Sequence, residues 1–280
     1  MYVQATRFAV ALALSVSVTL PNSALAQKND ENWHQCASNT SAPDVKIAAC
    51  SAVIQAGGGT NKNLNAALYN RGGAYSATGQ YDKAIADFTQ ALKLNPDDGI
   101  LYIGRGNAYL QNGDFDHAGP DFDAAIRLHA QPAVAYSGKG MIDFVHERYD
   151  RAIEDFGQTV RLQPGEAEGF TMRCLARAII GKLQEAMADC NQSIKLNPND
   201  AEAYSNRGLV YLKLKQPTAA LANYHRALQQ EPGGDTLLYG QGIAKHMLGD
   251  QSGGDADIAE AKKLSPDIAA VFAKWGVTEQ

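Results

Sequence analysis

The fold is decided by residues 65–98, which read NAALYNRGGAYSATGQYDKAIADFTQALKLNPDD. The same pattern returns every 34 residues, without insertion or deletion, through about residue 267. The six units begin at Asn65, Gly99, Ala133, Ala167, Ala201 and Asp235. A fixed period of this length is typical of stacked helix pairs. The period therefore predicts an all-α solenoid before any single residue is considered.

Three positions within the unit define its two helices. Position 8 is glycine in five of the six units, and position 24 is aromatic in four. A small residue facing a large one predicts close contact between the first helix (helix A) and the second (helix B). Position 32 is proline in five units, and it ends helix B because proline lacks an amide donor. Unit 2 departs from the pattern: Pro120 lies inside helix B, and Ala130 replaces the final proline, so we expect a kinked or shortened helix there.

This pattern resembles the tetratricopeptide repeat, and the resemblance covers about three quarters of the chain. The match is fullest in unit 1, where the family positions are occupied by Leu68, Gly72, Tyr75, Ala84, Phe88, Ala91 and Pro96. The resemblance implies a right-handed superhelical solenoid of six 34-residue helix-turn-helix repeats with terminal capping helices. The expected repeats are residues 65–98, 99–132, 133–166, 167–200, 201–234 and 235–268.

The segments outside the six units are expected either to cover the two ends of the solenoid or to direct the chain to export. Residues 27–64 are interpreted as a degenerate leading repeat, and residues 269–280 as a capping helix whose apolar side covers unit 6. Residues 1–26 have the pattern of a signal peptide: Arg7, an apolar run, and a small-residue cleavage site ending at Ala26. A membrane anchor is disfavoured because the apolar run of 13 residues would span only about 20 Å of a core about 30 Å thick. We therefore expect export to the periplasm.

The four cysteines fit an exported chain. Cys174 and Cys190 occupy positions 8 and 24 of unit 4, which meet as glycine and an aromatic ring in other units, and Cys36 and Cys50 have a similar spacing in the leading segment. Four cysteines allow three pairings, and the repeat register favours Cys36 with Cys50 and Cys174 with Cys190. The alternative is four buried thiols that pack as small apolar residues.

Charged residues recur at two positions that should face each other. Basic residues at position 7 are Arg71, Arg105, Lys139, Arg173 and Arg207, and acidic residues at position 23 are Asp87, Asp121, Asp155, Asp189 and Asp257. Both occur together in the first four units. The sequence therefore predicts a series of ion pairs within the units rather than a row of anion sites.

Composition and motifs exclude several classes of function. The formal net charge is −5 and no basic stripe is present, which argues against a nucleic-acid partner. The six histidines share no metal-ligand spacing, and no nucleophile or phosphate-binding motif occurs, so we expect no metal, no cofactor and no enzymatic activity. After the leader no segment is long and apolar enough for membrane insertion.

The remaining candidate for function is the concave groove, which the resemblance assigns to helix A positions 2, 5, 6, 9, 12 and 13. In units 3 to 5 these positions are largely apolar, which indicates an apolar partner surface unless curvature or the next unit buries them. Three asparagines offer hydrogen bonds to a peptide backbone. The predicted binding residues are Asn70, Asn107, Met141, Phe144, Met172, Leu175, Ile179, Asn206, Leu209 and Leu212.

The sequence thus predicts an exported, non-enzymatic scaffold that binds an apolar peptide or amphipathic helix of another protein. Position 5 carries no lysine in any unit, so the carboxylate clamp of related chaperone adaptors is not expected. Two alternatives stay open: self-association into a homo-oligomer, and a regulatory subunit of a cell-envelope enzyme complex.

Overall fold

The computed structural model describes residues 22–57 and 59–279, and within these ranges the ordered elements are helices only. The helices are α1 Asn22–Ala37, α2 Pro43–Gln55, α3 Asn61–Ala77, α4 Tyr81–Leu94, α5 Gly99–Gln111, α6 Phe115–Arg127, α7 Pro132–Val145, α8 Tyr149–Leu162, α9 Ala167–Ile179, α10 Leu183–Leu196, α11 Ala201–Lys213, α12 Pro217–Gln230, α13 Asp235–Met247, α14 Gln251–Leu264 and α15 Ile268–Lys274. Residues 1–21 of the predicted signal peptide lie outside the described residues. Residues 22–26 form the start of α1.

The helices pack in chain order, as expected for a solenoid. Each unit contributes one pair, from α3 with α4 in unit 1 to α13 with α14 in unit 6. Helix B of one unit packs on helix A of the next, and most helices A also contact the following helix A. The helices α1 and α2 stack on α3 at the amino-terminal end. The predicted all-α solenoid of helix pairs is therefore confirmed.

The aromatic ring at position 24 joins two units. A Cβ atom on Gly72 would lie 3.0 Å from Cε1 of Phe88, and one on Gly104, in the next unit, would lie 2.8 Å from the same atom. The ring of Phe88 is thus enclosed between position 8 of its own unit and position 6 of the following unit. Glycine at these two positions allows the helices to approach closely, so the glycines at position 6 serve stacking rather than partner binding.

Unit 2 lacks the proline at position 32, and left-handed backbone angles after α6 end its helix B instead. The helix α6 continues through Pro120 and has 13 residues, one fewer than α4 and α8. After it, His129 and Gln131 adopt left-handed backbone angles, with φ of 53° and 39°. A residue with left-handed backbone angles just after the last turn commonly ends a helix, because the chain can no longer continue the right-handed helical path. The shortening expected from the sequence is present, and it amounts to one residue.

Two disulfides connect helices within a pair. Cys36 bonds to Cys50 between α1 and α2, with the Cα atoms 4.7 Å apart, and Cys174 bonds to Cys190 between α9 and α10, with the Cα atoms 5.5 Å apart. All four cysteines are fully buried. These are the two pairings that the repeat register favours. In unit 4 the bond replaces the contact between glycine and an aromatic ring.

The series of ion pairs is present in units 1, 2 and 4. The guanidinium of Arg71 donates from Nε and Nη2 to the two carboxylate oxygens of Asp87 at 2.8 and 2.7 Å. Arg105 with Asp121, and Arg173 with Asp189, repeat this bidentate geometry. Because each pair is largely buried between helix A and helix B, it fixes the register of the two helices.

The prediction is wrong for unit 3. Lys139 turns away from Asp155, and its Nζ donates to Oδ1 of Asp123 in the preceding unit at 2.8 Å. An ammonium group is a single point charge and lacks the planar fork that holds arginine to a buried carboxylate. The side chain of Asp155 therefore has no hydrogen-bond partner among the described residues, and burial raises its pKa to about 6.

Candidate functional site

The carboxyl-terminal segment covers part of the concave side of the solenoid. Phe272 in α15 is fully buried, and its ring centroid lies 4.7 Å from that of Tyr239 in α13. The ring of Trp275 lies 5.2 Å from that of Phe272. Both rings pack on an apolar cluster that continues through helix A of units 4, 5 and 6. The segment therefore does more than close the end of unit 6, which is all that the sequence predicts for it.

Polar contacts tie this segment to distant units. The Nζ atom of Lys213, at the end of α11, donates to the carbonyl oxygens of Ala178, Ile179 and Trp275 at 2.7, 2.8 and 2.7 Å. Burial lowers the pKa of Lys213. Lys274 pairs with Glu147 in the turn between α7 and α8 of unit 3. The chain end thus contacts residues of units 3, 5 and 6.

This cover corrects the set of binding residues predicted from the sequence. Leu175, Leu209 and Leu212 have only 9, 2 and 2% of their surface exposed and belong to the apolar cluster that α15 completes. They are core residues of this cluster and do not line an open groove. Phe144 and Ile179 are partly buried against the same cluster.

Two of the predicted asparagines also lie elsewhere. Asn206 is buried, and its Nδ2 donates to the carbonyl oxygen of Thr171 in the preceding unit at 3.2 Å. Position 24 of that unit is Cys190 rather than an aromatic residue, which leaves room for a side chain at position 6. Asn206 therefore joins units 4 and 5 and is not available to a peptide. Asn70 is partly buried and does not line the open cavity described next.

An open cavity of about 1010 Å³, which we call the central groove, is lined mainly by helices A of units 2 to 5 and also by residues of α6 and the carboxyl-terminal end of α8. Its apolar lining consists of Leu110, Phe115, Ala133, Val134, Met141, Val145 and Met172. Its polar lining consists of Asn107, Gln111, Ser137, Thr159, Gln163, Glu166, Glu168 and Glu202. Of the ten predicted residues, the structure brings together Asn107, Met141 and Met172 in this cavity.

Most of the lining residues that the prediction omitted stand at repeat positions that the family resemblance assigns to the groove. Val134, Glu168 and Glu202 occupy position 2 of units 3, 4 and 5. Position 2 is one of the family's groove positions, but its residues are not uniformly apolar. A search for apolar side chains therefore missed the two glutamates. Glu166 lies in the turn before α9, where no helical pattern identifies it.

The central groove has an acidic wall. Glu166, Glu168 and Glu202 line it, and no lysine or arginine does. Within the described residues none of these three carboxylates forms an ion pair; Glu168 accepts a hydrogen bond from Oγ of Ser137 at 3.3 Å. Burial, together with the nearby charges of Asp200, Glu168 and Glu231, raises the pKa of Glu202. The wall therefore concentrates negative charge beside an apolar floor.

Other kinds of site are not visible in the described part of the chain. Among residues 22–57 and 59–279, no group of three or more His, Cys, Asp or Glu side chains is placed to hold a metal ion. No helix in the same ranges is long and apolar enough to cross a bilayer.

Comparison with known families supports the repeat register. Models of the tetratricopeptide repeat match residues 66–98 and 201–233, and a second such model matches residues 101–131. A related TPR repeat model matches residues 176–215. A comparison with curated proteins found no match. The matches to residues 66–98, 101–131 and 201–233 begin and end within two residues of the unit boundaries derived from the 34-residue period, whereas the match to residues 176–215 spans parts of units 4 and 5.

Solved structures share the architecture. A tetratricopeptide repeat protein from Parabacteroides merdae superposes with a TM-score of 0.69 at 16% identity, covering 90% of this chain and 100% of that one. Pseudomonas aeruginosa PilF gives a TM-score of 0.64 at 16% identity, with 76 and 98% of the chains covered. YrrB, described as a TPR protein with an unusual peptide-binding site, gives a TM-score of 0.50 at 25% identity, with 67 and 97% covered.

The fold and the concave groove define an α-helical repeat protein of the kind that usually mediates protein interactions. The 34-residue register, the family matches and the packing of the helix pairs identify the chain as a tetratricopeptide-repeat protein.

Proposed function

We propose that this protein is an exported, periplasmic scaffold that binds an apolar peptide or amphipathic helix of another protein in the central groove and catalyses no reaction itself. The observation that carries the proposal is the open cavity of about 1010 Å³ with Met141 and Met172 in its lining. Methionine suits such a surface because its flexible thioether adapts to differently shaped partners. The neighbouring polar groups can pair with a peptide backbone.

The chain's own carboxyl-terminal helix supports this proposal. The helix α15 lies against the concave side of units 4 to 6 with two aromatic anchors, Phe272 and Trp275. The same side of the solenoid therefore accepts a short helix with apolar anchors, which is the mode known as helix-in-groove recognition. YrrB, whose described peptide-binding site belongs to a protein of similar fold, provides a further parallel.

Export is supported by the leader pattern in residues 1–26 and by the two disulfides, since structural disulfides persist in oxidising compartments. Amino-terminal sequencing of the protein from cell fractions tests this part of the proposal. A periplasmic product that begins at Gln27 is expected. A cytoplasmic product that retains Met1 and contains four free thiols would contradict it.

Groove binding is tested by a photo-crosslinking residue placed at Val145, which lies in the central groove with 50% of its surface exposed. The matched control position is Leu264, which is 54% exposed at the end of α14 and does not line the groove. We expect a discrete protein adduct from position 145 in intact cells and none from position 264. The double variant Met141→Gln and Met172→Gln should abolish the adduct because it removes the apolar floor without adding charge. Identical adducts from both positions would refute the proposal.

A further inference from the structure

We propose that the central groove is specific for a cationic amphipathic segment of a partner protein, in which Lys or Arg residues flank a short apolar run. This inference rests on the function proposed above and adds the chemical character of the occupant. It follows from the position of three unpaired glutamates beside the methionine floor.

The glutamates of the acidic wall lie on consecutive units of the solenoid. Glu168 and Glu202 occupy position 2 of the consecutive helices α9 and α11, and Glu166 immediately precedes α9. A second depression of about 480 Å³ shares these three glutamates and adds Asp200, again without any lysine or arginine in its lining. The negative surface therefore extends from the central groove toward unit 5.

These carboxylates differ from the buried ones elsewhere in the chain. Asp87, Asp121 and Asp189 are each held by a bidentate arginine. The groove glutamates have no such cation among the described residues, and the pKa of Glu202 is raised, with burial as the largest cause and repulsion from Asp200, Glu168 and Glu231 after it. A bound ammonium or guanidinium group would relieve this repulsion, because an opposite charge within a few ångströms stabilises an ionised carboxylate.

The apolar floor distinguishes a peptide segment from a simple cation. Met141, Met172 and Val134 give the groove an apolar surface that a metal ion or polyamine would leave exposed to water. A neutral or acidic peptide would cover the floor but would leave the glutamates desolvated without partners, which is costly. A segment that combines apolar anchors with flanking cations satisfies both surfaces. The contact of α15 follows the same scheme, since Lys274 pairs with Glu147 where Trp275 joins the apolar cluster.

The test uses three labelled peptides of about twelve residues with identical apolar positions and with Lys, Gln or Glu at all the others. Binding to the purified protein is followed by fluorescence anisotropy at low and high salt. We expect the Lys peptide to bind about tenfold more tightly than the Gln peptide at low salt and the Glu peptide to bind most weakly, with the differences shrinking as salt screens the charges.

Variants assign the effect to particular residues. The double variant Glu168→Gln and Glu202→Gln should weaken the Lys peptide about tenfold and leave the Gln peptide unchanged. The matched control, Glu185→Gln with Glu260→Gln, removes two exposed carboxylates that do not line the groove and should leave both peptides unchanged.

Two results would overturn the inference in different ways. If the Lys and Gln peptides bind equally, and Met141→Gln with Met172→Gln weakens both, the groove binds apolar segments without a charge preference, and the proposed function stands alone. If no peptide binds in a manner that depends on the two methionines, the groove is not a peptide site, and both the inference and the proposed function fail.

Discussion

Lys274 in the last helix pairs with Glu147 in the third unit: its Nζ lies 2.6 Å from Oε1, although 127 residues separate the two in the sequence. Both side chains are exposed, so the pair itself adds little stability. Its position shows that α15 lies along the concave side of several units rather than at the end of one. Leu209 and Leu212 are buried in the same apolar cluster as Phe272 of this helix.

Phe272 should be the main anchor of this segment. The variant Phe272→Ala is expected to lower the free energy of unfolding by about 3 to 5 kcal/mol, because a fully buried ring leaves a cavity against Tyr239 and Trp275. Urea denaturation followed by circular dichroism measures the loss. The control Lys274→Ala removes only the exposed ion pair and should leave the denaturation midpoint unchanged. Equal effects of the two variants would show that α15 is not packed as described.

The buried and the exposed ion pairs should contribute very different amounts to the free energy of unfolding. Asp121→Ala leaves the guanidinium of Arg105 without its partner in a largely buried site and should destabilise the protein by about 3 kcal/mol. Asp123→Ala removes the exposed partner of Lys139 and should cost less than about 1 kcal/mol. Thermal unfolding of the two variants provides a matched comparison. An unchanged melting temperature for Asp121→Ala would disprove a stabilising role for the pair.

Asp155 should destabilise the protein at neutral pH. Its pKa is raised from 3.8 to about 6, chiefly by burial, so the folded state binds a proton more tightly than the unfolded state does. The charged carboxylate therefore weakens folding above about pH 6, and this penalty disappears as the pH falls toward 4.

The variant Asp155→Asn tests this pH dependence. It should raise the free energy of unfolding by about 1 kcal/mol at pH 7.5, allowing for solvent screening of a partly exposed group, and should have little effect at pH 4. Chemical denaturation of the wild type and the variant across this range gives the difference. An increase in the free energy of unfolding that does not depend on pH, or a decrease at pH 7.5, would be inconsistent with a buried carboxylate that destabilises the fold when it is ionised.

Two glycines at helical positions should respond oppositely to alanine. A Cβ on Gly140 would lie 2.6 Å from Cε1 of the buried ring of Phe156, so Gly140→Ala should cost about 1 to 3 kcal/mol through overpacking. No atom outside the helix lies within 4 Å of the corresponding position on Gly73, so Gly73→Ala should stabilise α3 by about 0.5 to 1 kcal/mol. Thermal unfolding distinguishes the two variants. If both shifted the melting temperature in the same direction, the close packing at position 8 would be contradicted.

The cysteines should be fully oxidised in the exported protein. We expect no free thiol in the denatured, unreduced chain and four after reduction. Replacing Cys174 and Cys190 together with serine opens a loop of about 15 residues and should destabilise the protein by about 3 kcal/mol in the chain-entropy model. Reaction with a thiol reagent measures the first outcome, and denaturation in urea measures the second. Four reactive thiols before reduction would disprove both bonds.

The repeat register carries much of the structure because each contact within it is local. The spacing of Gly72 and Phe88 predicts how helix A meets helix B, and the position of Cys174 and Cys190 in that same contact predicts their pairing. The register also predicts three of the arginine–aspartate pairs. It fails for Lys139, because residues at the same repeat position can differ in reach and geometry, and only the packed side chains show which partner a flexible ammonium group contacts.

The binding site is less predictable for a related reason. Periodicity identifies which residues point to the concave side, and two of them, Met141 and Met172, line the central groove. It does not show which part of that side stays open, since this depends on how α15 and the neighbouring helices pack in the apolar cluster of units 4 to 6. Nor does an apolar pattern identify Glu168 and Glu202, whose importance comes from their position beside the floor and from their lack of cationic partners.

By itself, the sequence determined the class of fold, the number and phase of the helix pairs and the glycine–aromatic contacts between helices. These features depend on interactions that repeat at a fixed spacing along the chain, so they can be read from one unit to the next. The tertiary structure alone decided that the chain end covers part of the concave side, that Leu175, Leu209 and Leu212 are core residues, and that the open groove has an acidic wall. Those features arise from contacts between segments far apart in the chain, which no local pattern records.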